Sequence, residues 1–224
     1  MTVVGAMYCH GYLLIGCDSA VRETAIIRSL KAKLDKLDTL SVVWGTSGDE
    51  FTGDEFGDWL KTCSFEGKDW LALANDATDK LAELNGHRKR TARMAGVRLK
   101  DEDLTDALIV GYLDGIPEIV EIDHKGETSL HIRNNRLFSA IGSGSPHARI
   151  IFYALCRVPG FQRNLQGMRF VLSVATQLDP KCAAPIHVME ITENGIVDLS
   201  GGEMPNEQES ETGPETADKG EVSR

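Results

Sequence analysis

Apolar positions dominate the start of the chain in two short blocks. Residues 2–7 and 12–17 are hydrophobic almost without interruption and flank Cys9-His10-Gly11. They predict a β-hairpin with the glycine in its turn and strands buried on both faces. A second pair of strands is predicted at 25–30 and 37–44, ending at Gly45-Thr46-Ser47-Gly48. From Asp49 the spacing of Phe51, Phe56, Trp59 and Leu60 predicts a helix. Trp70, Leu73, Ala74, Ala77, Leu81 and Leu84 form one stripe of the next, which the basic run 87–93 ends or loops out of. Strands resume at 107–113, turn at Asp114-Gly115 and continue through 118–122, with short strands at 131–132 and 137–141. Helices follow at 146–158 and 165–178, the second aligning Met168, Val171, Leu172 and Ala175, and strands at 186–191 and 195–199 complete the pattern.

The order is strands, two helices, strands, two helices, strands. Two sheets packed face to face, each covered outside by a helix pair, satisfy it and account for strands that are apolar on both faces. The predicted class is therefore α+β, a four-layer αββα sandwich over residues 2–200. Residues 201–224 carry seven Glu or Asp, no aromatic and little to bury, and read as a disordered acidic tail.

Composition narrows the partners. Hydrophobic residues are 42% and charged residues 26%, as in an ordinary globular protein, and the formal net charge of −10 argues against nucleic acid or an anionic membrane. No apolar run has the length of a membrane helix, and no signal-peptide pattern opens the chain. Cys9, Cys17, Cys63, Cys156 and Cys182 are scattered without metal-site spacing, which fits reduced thiols in the cytoplasm and calls for no metal or other cofactor.

The candidate chemistry starts at Thr2. Met1 precedes a small residue, a setting in which the initiator is commonly removed. Removal leaves an α-amine, of ordinary pKa about 7.7–8.0, beside a hydroxyl it can deprotonate. Asp18 ends a buried strand and needs a cation, for which Lys33 and Lys31 are the candidates. A lysine so held near Thr2 favours the alkoxide. Two glycine turns between strand and helix, at 44–49 and 141–146, offer backbone amides to an oxyanion.

These residues resemble the proteasome β-subunit family, including the simpler HslV-type and related bacterial proteasome-like peptidases. In that family a mature chain opens with Thr, a short strand, a glycine hairpin and a strand ending in Gly/Ala-x-Asp-Ser. Here the counterparts are Thr2-Val3-Val4-Gly5, His10-Gly11 and Gly16-Cys17-Asp18-Ser19. The family lysine, followed by an aliphatic residue, falls on Lys33-Leu34. Lys31 stays a competitor because the segment before Gly45 is slightly short. Gly45 matches the glycine of the oxyanion hole. Residues 138–146 resemble the strand ending in Gly-Ser-Gly that places Ser143 beside the N-terminal amine. Residues 178–184 resemble the loop where an Asp and a Ser support that amine. Here they are Asp179 and Cys182, the thiol being the weaker donor. Val21, Val43 and Ser47 align with the specificity pocket and imply a neutral, apolar preference.

The resemblance implies the sandwich of N-terminal-nucleophile hydrolases and a threonine-type endopeptidase in a self-compartmentalising assembly. It also implies other copies of the chain in a ring or spiral, an ATP-dependent unfoldase as a partner class, and peptide or protein substrates. A ring-forming subunit without activity and an amidase acting on a small molecule are the alternatives the same fold allows.

Overall fold

The computed structural model describes residues 2–23, 26–30 and 33–200, with 20–23, 26–30 and 38 described at the level of the backbone. Lys31 and the acidic segment 201–224 lie outside the described residues. The opening hairpin pairs β1 (Val4–Tyr8) with β2 (Leu13–Asp18), Val4 opposite Cys17 and Gly5 opposite Gly16. β3 (Ala20–Glu23) and β4 (Ile26–Leu30) make a separate two-stranded ribbon. Then come β5 (Leu34–Leu37), β6 (Val42–Ser47), α1 (Glu50–Thr62), α2 (Trp70–Met94), β7 (Asp106–Leu113), β8 (Ile116–Ile122) and β9 (Thr128–Leu130). β10 (Phe138–Ile141), α3 (Ser145–Leu155), α4 (Leu165–Leu178), β11 (Ile186–Thr192) and β12 (Gly195–Asp198) complete the chain.

One five-stranded sheet has the order β10-β1-β2-β11-β12 and the other β5-β6-β7-β8-β9. Strand alternation divides the buried side chains into three cores. Val4, Ala6, Leu13, Ile15 and Cys17 face Val43, Leu108, Val110 and Ile119 between the sheets. Val3, Met7 and Leu14 face Phe152, Met168 and Leu172 beneath α3 and α4. Val42, Trp44 and Ile109 face Phe56, Leu60, Leu73 and Leu81 beneath α1 and α2. The four-layer αββα sandwich is thus present. Gly5 and Gly16, side by side in the first sheet, form the notch for Leu172: an added Cβ would sit 3.1 and 2.7 Å from its methyl carbons.

Several elements differ from the pattern-based expectation. The single strand expected over 37–44 is two, broken by a 3-10 turn at Asp38–Leu40 and by Ser41 in the left-handed region (φ 48). Apolar periodicity does not report such a break. The basic run 87–93 continues α2 to Met94, because straight-chain Arg and Lys suit an exposed helix face, Arg88 reaches Asp49 at 3.0 Å and Ala92 is buried. Phe51 is 68% exposed, since α1 turns Gly53 and Gly57 onto Thr46 and Trp44 instead. The short strand expected at 131–132 lies earlier, at β9, and His131 and Ile132 form a turn on the Glu118 carboxylate, which accepts from the Ile132 amide at 2.6 Å.

Candidate active site

The site gathers where the start of the chain crosses the end of β2. Thr2 is 2% exposed and its side-chain hydroxyl hydrogen-bonds Asp18 Oδ1. The same oxygen accepts the Val3 amide at 3.0 Å and the Lys33 ammonium at 3.2 Å. Oδ2 accepts the Ala183 amide at 3.1 Å. Asp18 is fully buried and Lys33 partly so, at 15% side-chain exposure, so losing the lysine would remove a cation from a carboxylate that water does not reach. Placement follows from the sheet. The Asp18 amide donates to the Val3 carbonyl at 3.1 Å, extending the β1–β2 ladder by one pair and bringing the carboxylate back onto Thr2.

A second wall is the turn after β10. Gly142 has φ +88, and a Cβ there would fall 2.1 Å from the Thr2 carbonyl oxygen and 3.2 Å from the Ser47 side chain. Only glycine fits both the dihedral and the space. The Gly144 amide donates to the Thr2 carbonyl at 3.4 Å. Between them the Ser143 hydroxyl is enclosed, facing Asp179 and Cys182 without full hydrogen-bond geometry to either. Burial works to raise the Asp179 pKa. Contacts from Ser143, the Lys181 amide and the Cys182 thiol outweigh it and hold the carboxyl below its ordinary range. Burial first, then the charges of Asp18 and Asp179, push the Cys182 thiol up to about 12, so it stays protonated and donates towards Asp179 at 3.5 Å.

Thr2, Asp18, Lys33, Ser143, Asp179 and Cys182, scattered in sequence, are therefore neighbours in a chain of contacts. The two remaining groups of expectations fare differently. Gly45 lies inside β6 with Leu34 opposite on one side and Leu108 on the other. Its lack of a side chain admits Val4, whose methyl would be 2.8 Å from an added Cβ. Past the last β6–β7 pair, Ser47 with Asp106, the next glycine is Gly48 at φ +111. Val43 is wholly buried in the core between the sheets and has no surface to offer a substrate, because strand alternation puts it there. Ser47 is buried beside Gly142. Val21 is on β3, and its side chain lies outside the described part. Residue-type reasoning missed the amides of Val3 and Ala183, because backbone donors leave no mark in the sequence. Gly142 was signalled by the Gly-Ser-Gly turn, though only as one glycine among several.

Solved structures share this arrangement of layers. HslV from the eukaryote Trypanosoma brucei superposes with a TM-score of 0.59 at 19% identity, over 84% of this chain and 98% of that one. Anbu, described as an ancestral beta-subunit, from Yersinia bercovieri superposes with a TM-score of 0.67 at 13% identity, over 88% of this chain and 87% of that one. The fold is that of a proteasome-type β-subunit. No family model matches the chain, and no curated protein matches it. In proteasome-type terms the two helix pairs are α1–α2 and α3–α4, and the cluster around Thr2 lies where the first sheet meets the turns after β6 and β10. Among the described residues, no group of three or more His, Cys, Asp or Glu is placed to hold a metal, and no helix is long and apolar enough to cross a membrane.

Proposed function

We propose that the chain is a threonine-type endopeptidase subunit, with Thr2 made amino-terminal by removal of Met1. The observation that carries this reading is the convergence of the Thr2 hydroxyl and the Lys33 ammonium on one oxygen of Asp18. The Thr2 hydroxyl attacks the peptide carbonyl and its proton passes to the α-amine. The Lys33 charge favours the developing alkoxide, with Asp18 fixing the lysine. The oxyanion is received by backbone amides at the end of β6, for which Gly45 and, past the last β6–β7 pair, Gly48 are the candidates. The protonated amine then gives its proton to the leaving nitrogen, and water resolves the acyl-enzyme by the same route. The enclosed Ser143 hydroxyl, with Asp179 and Cys182 behind it, is the anchor for that amine. The working form is an assembly of copies of this chain, taking peptide or protein substrates. An ATP-dependent unfoldase is the class of partner that would deliver folded ones.

Intact-mass spectrometry before and after a threonine-directed peptide epoxyketone tests the reading. The expected result is loss of Met1 and a single adduct at Thr2, absent in Thr2→Ala. A chain that keeps Met1 and takes no label overturns it. The 2% exposure of Thr2 favours a second reading, a ring subunit without activity, and this outcome would select it.

A further inference from the structure

A partly buried polar cluster, in which the Arg149 side chain is 40% exposed and Glu121 18%, lies just upstream of the turn that touches Thr2, and the chemistry above makes no use of it. β10 is a four-residue strand at the edge of its sheet, paired through β1 on one side only. Ala140 presents its carbonyl to the Arg149 guanidinium, from Nε at 3.2 Å and Nη2 at 2.7 Å. Arg149 comes from α3, and its Nη2 also reaches Glu121 Oε1 at 2.6 Å. Glu121 is on β8 of the other sheet. Its Oε2 accepts the Ser139 hydroxyl at 2.5 Å and pairs with His131 Nε2 at 2.9 Å. The cluster thus ties one helix and both sheets to two consecutive residues of β10. Ser139 is 1% exposed and the carboxylate, not the imidazole, stands at the centre, so the Ser-His-Glu set has no histidine on the serine and leaves a substrate no approach to its hydroxyl.

What the cluster can do is hold the strand. Two residues beyond Ala140 is Gly142, packed on the Thr2 carbonyl, and two further is the Gly144 amide that donates to it. Ile141 packs in the core between the sheets, and the polar ties described from this short strand to the second sheet run through Glu121. We propose that Arg149, braced by Glu121, is a positioning residue that sets β10 and so presses the 142–144 turn against Thr2. Its effect on rate rests on the peptidase reading above; its effect on the turn does not.

The test uses the full-length protein and the variants Arg149→Met, Arg149→Lys and Glu121→Gln. Hydrogen exchange is followed by mass spectrometry over residues 139–145, and epoxyketone inactivation is followed at Thr2. Arg149→Met is expected to speed exchange across 139–145 while leaving α1 and α2 unchanged. It is also expected to lower the maximal inactivation rate by about 10- to 100-fold with little change in inhibitor affinity, as a small misplacement of reacting groups does. Arg149→Lys, which reaches Glu121 but cannot also span the carbonyl, falls between. Should Arg149→Met fail to fold, Glu121→Gln, similar in shape but uncharged, gives the same comparison. Unchanged exchange at 139–145 in a folded variant overturns the clamp, and loosened exchange with an unchanged inactivation rate overturns its role at Thr2. A wild-type protein that takes no label overturns the peptidase reading instead, and the exchange result alone then decides whether Arg149 places the turn.

Discussion

Around Thr2 the closest packing is against backbone, and this makes Gly142 more demanding than any neighbouring side chain. At φ +88 an alanine carries about 1–2 kcal/mol of left-handed strain, and its methyl would overlap the Thr2 carbonyl, a clash that cores of this kind meet at about 1–3 kcal/mol. Gly142→Ala is expected to lower unfolding stability by about 2–5 kcal/mol in urea titrations and to reduce labelling at Thr2 at least tenfold, if it folds. A variant of wild-type stability would show that the turn yields without cost. The carboxylate of the site was legible from the sequence, because a buried Asp at a strand end needs a cation. Lys33 and Lys31 both stayed open on that ground; Lys33 is seen at 3.2 Å, while Lys31 lies outside the described residues. The setting of the glycines at the end of β6 was not legible: Gly45 lies within the paired residues of the strand and Gly48 beyond its last β6–β7 pair, a difference set by strand pairing and not by residue type.

Among the elements, β8 carries two carboxylates, Glu118 buried and Glu121 18% exposed. Glu121 is raised by burial, but its contacts with His131, Ser139 and Arg149 outweigh that and bring its carboxyl down to about 2 from an ordinary 4.5. A carboxylate depressed in the folded state contributes stability above the unfolded value and loses it as the pH falls towards the folded one. The contribution, about 3 kcal/mol at most, is therefore complete above pH 4.5 and is lost between there and about pH 2. Urea midpoints measured across that window should fall more steeply for the wild type than for Glu121→Gln. Parallel curves would mean that the clamp does not couple to the proton. The strands and helices themselves were mostly readable, since the doubly apolar runs at β1 and β2 and the stripes of α2 and α4 admit one interpretation each. The misplaced pieces are those fixed by non-local polar contacts, such as the 131–136 turn built on Glu118 and the last turns of α2 braced by Arg88 on Asp49.

For the molecule as a whole, the outer helix pair α3–α4 shows more apolar surface than a solitary subunit needs. Ile150 is 69% exposed, Phe170 52%, Tyr153 50% and, at the end of α4, Leu178 55%. Under the proposed function, self-association is the expected outcome. Sedimentation should give a mass several times that of the chain, and the pair Ile150→Asp and Phe170→Asp should reduce it. A wild-type monomer at micromolar concentration would remove the assembly from the functional proposal.

Asp18 joins the proposed chemistry to the architecture: it contacts Lys33 and Thr2 and also binds the amides of Val3 and Ala183, stitching the start of the chain to a loop far along it. On the peptidase reading, selection for activity and selection for a folded chain act on it together. A lineage that gave up peptide cleavage could then lose the hydroxyl at position 2, as valine or alanine, but would keep the aspartate. That hydroxyl would be the record of whether chemistry is still in use, while the aspartate would record only that the sandwich still closes.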